Sequence, residues 1–535
     1  MQPLHAKAMK IVQPQQAIQD NYSAYLTDES RLPGGNADAL VFAKSKDEIV
    51  EVLKEAFDRT LPVTVSAGRT GIVGGAVPFG GILLSLEPLN RFLGIRFEEK
   101  TQSWLAHVQP GMTVEGLDDL LKKQELPHGL EFGSALDEAD GKRFFRESAN
   151  WFYPPDPTEK TAHLGGTAAT NASGARSFKY GQSRRFIRSL RVVLPDGTVL
   201  DLKRGDPAKQ RGDFFPVHCL HGDANVPVPE YPKPIVKNAA GYYTDHSVEL
   251  LDLFIGSEGT LGVVVELELE LWKRPESIFA GVAFFHSESD ALRFVRLSRS
   301  FPDFRPSVLE YFDAYSLELL DQKRLSQEVH SAFPSLPSGT RAGVYFEQES
   351  RTDQIESLYA KYEPLLSECG TDMNNTWGAV DEMELMKIMN YRHALPEAIN
   401  AVVAQRQKIL PQLHKIGTDF AVPDAFLETV FHLYRSQLDP LGMEYTIFGH
   451  VGENHLHVNL LPRNEDELAK AKTAYIALAR KIVALGGTVS AEHGIGKIKN
   501  SMLGIMFSED AIRQMMRIKK ALDPKWILGQ NTILS

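Results

Sequence analysis

Apolar and polar residues alternate along this chain with two different periods. From Ala39 a short apolar run, "ALVFAKS", is followed by "DEIVEVLKEAFDRT", apolar at helical spacing, and then by "PVTVSAG", a second run that ends in glycine. That order predicts a strand–helix–strand unit. "GGILLSLEPLN" and "WLAHVQPGM" continue with short strands, and "TVEGLDDLLKKQE" reads as an amphipathic helix. "FIRSLRVVLPDGTVLDL" predicts a strand pair joined at Asp196-Gly197, a dipeptide suited to a hairpin turn. "LDLFIGSEGTLGVVVELELELW" predicts two strands around a tight glycine turn. Residues 203–235, with several prolines and no sustained period, read as a loop leaving the core, and residues 1–38 as a short helical lead-in before a turn-rich segment. After Lys273-Arg274-Pro275 the texture shifts to longer helical stretches, "SESDALRFVRLSRSF" and "DAYSLELLDQKRL". The expected organisation is therefore a lead-in (1–38), a first domain (39–275) and a second domain (276–535).

Composition narrows the partners. With 535 residues, 43% hydrophobic and 24% charged, the chain has enough apolar material for two or three domains. A net charge of -11, interspersed along most of the chain, supplies no concentrated basic surface, so nucleic acid is not an expected partner. Two cysteines, Cys219 and Cys369, cannot build an iron–sulfur cluster or a disulfide framework. No stretch has the length and apolarity of a signal peptide or membrane span, so a cytoplasmic protein is expected. Peripheral contact with the inner face of a membrane, and a homodimer, are both compatible with the sequence.

Three stretches carry small residues in unusual density. "SAGRTGIVGGAVP" follows a strand and places Gly68, Gly71, Gly74 and Gly75 where backbone N–H groups can close on an anion. It is neither a Walker loop nor a dinucleotide fingerprint, and alone it is equally a sharp turn. "PPDPTEKTAHLGGTAATNASGARSFKYGQ" is rich in Gly, Ala, Thr, Ser and Asn, which let a backbone approach a flat ligand and supply hydrogen bonds. "GSEGTLG" repeats the texture. Three such loops among short strands favour a bound nucleotide.

A different chemistry is concentrated in "FGHVGENHLHVNL". His455, His457 and Asn459 share one strand face, and the Gly-Glu-Asn turn material between His450 and His457 can bring those two imidazoles to one point. "SAEHGIGK" adds Glu492 and His493. Two imidazoles and a carboxylate make a catalytic site for Zn²⁺, or for Mn²⁺ or Fe²⁺. On these residues alone, a hydrogen-bonded histidine cluster is an equal reading.

With these motifs, from Ala39 to Leu534, the sequence resembles the FAD-linked oxidase family of the vanillyl-alcohol oxidase and p-cresol methylhydroxylase fold. Within it, the likeness is to the D-2-hydroxyacid dehydrogenases: D-lactate dehydrogenases, glycolate oxidase flavoprotein subunits and D-2-hydroxyglutarate dehydrogenases. The resemblance implies an α+β protein with a two-part FAD-binding domain, a cap domain built on an antiparallel sheet with helices, and a C-terminal segment returning to the flavin. It assigns FAD contacts to Ala67, Gly68, Arg69, Thr70, Gly71, Gly74 and Gly75 in the pyrophosphate loop. In the second loop they fall on Pro154, Asp156, Thr161, Gly165, Gly166, Ala169, Asn171, Ser173, Gly174 and Gly181, and in the third on Glu258, Gly259 and Gly262. Residues 66–78 hold no His or Cys, so a non-covalent flavin is implied. Near the C-terminus Gly529 replaces the family's asparagine, so that this contact is either lost or shifted by two residues to Asn531.

The same resemblance makes His450, His457 and Glu492 the metal ligands and His493 the proton acceptor. Arg392 corresponds to a carboxylate-binding arginine, although Met389 stands where the family has tryptophan, and Asn459 is a second substrate contact. The family's D-G-N is Glu453-Asn454-His455 here, which alters the pocket and leaves His455 as a substitute polar contact or, the favoured reading, an outlying or exposed side chain. Lys415 does not align with the family's lysine, and Gly417 is nearer its place, so a second, distal carboxylate has no expected partner. The implied reaction is oxidation of a D-2-hydroxy acid, D-lactate-like, to the 2-oxo acid, with metal-assisted loss of the hydroxyl proton and hydride transfer to flavin N5. The electron acceptor stays open between a quinone, a cytochrome and a flavoprotein. The alternative is a flavin-bearing subunit that relays electrons within a larger complex such as glycolate oxidase.

Overall fold

A computed structural model describes residues 9–125, 138–206, 212–301, 305–325 and 333–535. In the first sheet Ala39–Phe42 and Val63–Ser66 run parallel on either side of Ile82–Ser85, and Lys10–Val12 adds an antiparallel edge. The helix Lys46–Arg59 connects the first two of these parallel strands. Ser45 caps it by accepting from the Glu48 N–H, Asp47 and Glu48 sit in its first turn, and Thr60 ends it in the left-handed region. Ile49, Val52, Leu53, Ala56 and Phe57 form its buried face, in one core cluster with Val41 and Ile82 of the sheet. The end of the chain closes the sheet's other edge: Val63 N–H donates to Ile527 O at 2.7 Å and Gly529 N–H to Val63 O at 2.9 Å.

The second sheet has the order Phe92–Glu98, Ser103–Val108, Val263–Lys273, Ile187–Val193, Val199–Lys203, with Trp151–Phe152 paired to the end of its long central strand. The third is antiparallel throughout: Thr376–Ala379, Ser277–Phe285, Ala342–Ser350, Val308–Asp313, Tyr445–Gly449, His455–Leu460 and Ile416–Gly417, with Phe420–Ala421 also on the His455–Leu460 strand. The chain passes from the second sheet to the third across residues 274–276. One face of the third sheet packs Val282, Phe312 and Tyr345 with Ile388, Tyr391 and Leu395 of the helix Glu382–Gln407. The opposite face packs Phe285, Tyr311 and Phe346 with Phe294 and Phe431 from the helices Glu288–Ser300 and Leu427–Leu438.

Three local expectations are corrected. Residues 203–235 contain a ribbon, Phe214–Val217 with Ala224–Pro227, that buries Phe215, Val217 and Val226. Strands of four residues broken by Pro216 and Pro227 carry too short an alternation to stand out. Leu250–Phe254 is a helix rather than a strand, begun by a reciprocal capping box between Glu249 and Asp252. The lead-in contributes the edge strand Lys10–Val12 besides the helix Gln15–Tyr22. Among the described residues no helix is long and apolar enough to cross a membrane.

Candidate active site

The three small-residue loops, far apart in sequence, converge. Gly256 N–H and Glu258 N–H donate to Ala168 O and Ala169 O at 3.0 and 2.8 Å, tying the third loop to the second. A Cβ on Gly166 would stand 3.3 Å from Ala67 Cβ, and one on Gly68 would stand 3.3 Å from His163 N. Lys497 Nζ donates to Gly74 O and Gly75 O, at 3.3 and 3.1 Å, and to Thr532 Oγ1, drawing in the C-terminal segment. Each loop also holds a non-glycine residue in the left-handed region: Arg69 at φ 59°, Asn171 at 48°, Glu258 at 53°, with Asn531 at 61°. Each costs on the order of 1 kcal/mol or more and persists because its surroundings over-determine it.

These loops fit FAD on their own features. Ser66 Oγ and His163 Nδ1 are buried without a hydrogen-bond partner, and Gly71 opens on free space. A cavity of about 670 Å³ beside the second and third loops is lined by Asn171, Gln182, Arg184, Tyr243 and Gly256, among others. Several expected contacts are occupied by the protein itself. Gly165, Gly174 and Gly262 are places where a Cβ would collide with Pro110, the Asp156 carbonyl and Val192. Asp156 is paired with Lys160, Thr161 Oγ1 donates to Glu159 at 2.8 Å, and Ser173 Oγ donates to Glu492 Oε1 at 3.3 Å. Pro154 is buried ahead of this turn, and Gly181 ends the helix Ser177–Tyr180 at φ 85°.

Glu258 is the charge inside this junction. Burial raises its carboxyl to about 7, against the pull of the Ile495 and Gly496 N–H groups that donate to it at 2.8 Å. A raised acid favours folding while protonated. That stability is fully present below the ordinary carboxyl value of 4.5 and is lost as pH rises through about 7, a change of up to about 3 kcal/mol. Glu258→Gln should therefore flatten the urea-unfolding stability between pH 5 and pH 8. The same fall in variant and wild type would remove Glu258 from the account.

The histidine stretch folds into a hairpin whose turn dictates the site. Strand Tyr445–Gly449 leads into a single turn at Val451–Glu453, Asn454 takes φ 52°, and the return strand starts at His455. The turn is clamped by Arg299, which donates to Val451 O and to Asn454 Oδ1, and by Asp424, which accepts from Asn454 Nδ2 at 2.6 Å. Gly452 has no side chain because a Cβ would lie 2.8 Å from the Phe178 ring, so the hairpin docks on the second small-residue segment.

His450, His455, His457 and Glu492 each offer one donor atom, and all four atoms lie within 4.8 Å of one another. Glu492 Oε2 stands 3.2 Å from His450 Nε2, 3.9 Å from His455 Nδ1 and 4.0 Å from His457 Nε2. Its other oxygen accepts from Lys237 Nζ at 2.5 Å, and Lys237 also reaches Ser177 Oγ at 2.8 Å and Glu453 Oε2 at 3.0 Å. His450 Nδ1 donates to Glu310 Oε1 at 2.5 Å, and Arg392 Nε donates to Glu310 Oε2 at 2.7 Å. His455 is 0% exposed and belongs to the cluster, which corrects its expected place outside it. The left-handed Asn454 turns the start of the return strand inward, a step that side-chain alternation does not reveal.

Electrostatics suit ligand duty at Glu492, His455 and His457, and leave on His450 a proton that a metal would displace. Burial works against the Glu492 carboxylate, but His450, Lys237 and His455 hold it well below the usual range. Burial and the neighbouring imidazoles push His457 well down, and burial lowers His455, so both present neutral rings. Burial also opposes a charged His450, yet Glu492 and Glu310 on either side lift it to about 9. Imidazole nitrogens meeting a carboxylate oxygen at this spacing suit a divalent transition metal.

His493 lies at the rim, its ring 5.8 Å from that of His457 and its side chain 30% exposed. Its Nδ1 is 3.0 Å from Asp419 Oδ2, and its N–H donates to the same oxygen at 3.1 Å. Asp419 also accepts from Lys499 Nζ, Ser490 Oγ and Glu492 N–H. Burial raises this carboxyl, but His493 and Lys499 pull it well below its usual range. Asn459 is buried one inward position beyond His457, against Gly417. Arg392 is buried with Glu310 beside the cluster, and its Nη1 is 2.8 Å from His393 Nε2. Sequence reasoning missed Lys237, Glu310 and Asp419. Only Lys237 left a trace, since "KNAAGYY" repeats the small-residue texture of the other loops.

A model described as FAD binding domain matches residues 37–137 and 145–203, and one described as FAD linked oxidases, C-terminal domain, matches residues 274–531. A D-lactate dehydrogenase of Anaerostipes hadrus is 28% identical over 525 residues, 95% of this chain and 91% of that protein. A glycolate oxidase subunit of Bacillus subtilis is 26% identical over 92% of this chain and 88% of its own length. Among solved structures, an alkyldihydroxyacetonephosphate synthase matches with a TM-score of 0.58 over 92% of this chain and 76% of that one; at 17% identity the likeness is one of fold.

Proposed function

The chain belongs to the FAD-linked oxidases, as an FAD-dependent oxidoreductase, and from there we propose that it oxidises a D-2-hydroxy acid of the lactate kind to the 2-oxo acid with a divalent metal at its histidine cluster. The observation that carries this reading is the meeting of His450, His457 and Glu492 with the His493–Asp419 pair, attached to the loops that fit FAD through Ser173 and Lys237. FAD, when bound, supplies the acceptor for the hydride of the substrate's α-carbon. His450, His457 and Glu492 would hold a metal, and its Lewis acidity would make the α-hydroxyl easier to deprotonate.

The protein's own groups do the rest. Asp419 holds the Nδ1 side of His493, which leaves Nε2 as the acceptor for the hydroxyl proton. Lys237 and Ser173 engage Glu492 Oε1 and leave Oε2 directed at the imidazoles. Charge supports a monoanionic substrate. Lys237, Arg392 and a protonated His450 balance Glu310, Glu453 and Glu492; exchanging that proton for a divalent ion leaves one positive charge for one carboxylate. The names of the relatives, D-lactate dehydrogenase, glycolate oxidase subunit and D-2-hydroxyglutarate dehydrogenase, support a 2-hydroxy acid and leave the choice of a monoanion to the charge count.

Anaerobic mixing with a panel of D- and L-2-hydroxy acids tests the reading. One small D-acid should bleach the oxidised flavin, chelator treatment should abolish the bleaching, and a divalent metal should restore it. A yellow protein that no hydroxy acid reduces would move the assignment to an electron-relay subunit. Bleaching indifferent to chelator would remove the metal from the reaction.

A further inference from the structure

In the reading above the metal rests on His450, His457 and Glu492, and His455 in the same hairpin has no task. We infer that His455 is a fourth ligand, so that this chain holds its metal with three imidazoles and one carboxylate. The inference rests on the metal-dependent reading of the site and goes beyond the family pattern, which has asparagine at this position.

His455 is 0% exposed, its Nε2 stands against Asp419, and its Nδ1 has no hydrogen-bond partner. A buried Nδ1 left without a partner carries an uncompensated desolvation cost, so the ring needs a reason to be there. Its Nδ1 faces Glu492 Oε2, the oxygen on which His450 Nε2 and His457 Nε2 also converge. Its Nε2 lies 3.0 Å from Asp419 Oδ1, outside hydrogen-bond alignment. A merely structural His455 would turn its N–H to Asp419 and point the Nδ1 lone pair at the Glu492 carboxylate, acceptor against acceptor. A cation between them converts that repulsion into two bonds.

The far nitrogens of all three rings repeat one arrangement. His450 Nδ1 meets Glu310, His455 Nε2 faces Asp419, and His457 Nδ1 faces the Thr418 carbonyl oxygen at 3.4 Å. Metal-binding histidines characteristically present their second nitrogen to a carboxylate or carbonyl, which fixes the tautomer and turns the other lone pair to the ion. Donors bound tetrahedrally at about 2.0–2.2 Å lie about 3.3–3.6 Å apart, so atoms within 4.8 Å of one another close on an ion with side-chain shifts of well under about 1 Å each. Three nitrogen donors favour zinc or cobalt over magnesium and manganese. Because four protein donors complete a tetrahedron, a substrate oxygen enters only by expanding the coordination to five or six.

Zinc K-edge X-ray absorption of the zinc-loaded, flavin-bound protein should show outer-shell scattering from three imidazoles. His455→Asn should show two, and zinc affinity measured against a chromophoric chelator should fall about 100-fold or more, beyond the cost of losing an outer partner. Two imidazoles in the wild type, or unchanged spectrum and affinity in H455N, would overturn the fourth ligand alone. A wild type that binds no stoichiometric zinc yet is bleached by a hydroxy acid would overturn this inference together with the metal reading and leave the flavin reaction standing. The wild-type spectrum decides the point even if the variant fails to fold.

Discussion

His493→Ala is expected to slow flavin reduction by a 2-hydroxy acid by about 10²–10⁴-fold, the range of a lost general base, with flavin and zinc content near wild type. His493 is separable from the cluster in a way its neighbour Glu492 is not. Its side chain is 30% exposed and its Nδ1 is held by Asp419, whereas Glu492 is buried among three histidines and Lys237. Removing the ring therefore leaves the donors of the metal in place and takes away only the acceptor at the rim. The loss should appear in kcat with little change in KM, because a proton acceptor contributes more to the transition state than to substrate binding. Free imidazole should restore part of the rate in H493A, since the vacated position opens to solvent. A variant that keeps its rate would return His493 to a structural role, and one that loses zinc would make it a ligand.

How much of this was legible before folding depends on whether a residue acts through its neighbours in sequence or in space. The three loops could be read because close backbone approach and positive φ leave a local record of Gly, Ala and Ser, and Gly74 and Gly259 do sit at φ 77° and 72°. His450, His457 and Glu492 could be read because their spacing survives in motif form. Asp419, Glu310 and Lys237 could not. Each is a lone charge in an ordinary stretch, and each acquires its role from a partner 74, 140 or 255 positions away. His455 shows the limit most sharply. Strand alternation placed it correctly beside His457, but its burial follows from Asn454 at φ 52° and from the docking of Gly452 on Phe178, which are facts of tertiary packing. The ribbon at 214–227 was hidden for a different reason. Its two strands are four residues each, and prolines interrupt the pattern that would identify them.

Lys237→Met is expected to destabilise the metal-free protein by about 3–5 kcal/mol, the penalty for leaving buried charge uncompensated. Lys237 has a side chain only 1% exposed and serves two carboxylates at once, Glu492 at 2.5 Å and Glu453 at 3.0 Å. Burial opposes its ammonium, and Glu453 and Glu492 hold its pKa above the usual value, so it stays charged. Removing it takes the ammonium from Glu453 and leaves Glu492 with His450 as its remaining charged partner. Glu492→Gln should cost less, because Lys237 keeps Glu453. The double variant K237M/E492Q should then lose less than the sum of the two, with a coupling of about 1–3 kcal/mol in urea unfolding carried out with chelator. Stability and function should part company in that variant, which recovers part of its fold yet binds no zinc and is not bleached by any hydroxy acid. Strictly additive losses would show that Lys237 and Glu492 act independently, and a double variant that retains zinc would take Glu492 out of the ligand set. The asymmetry between the single variants follows from the charge count alone: one cation shared by two acids is missed more than either acid.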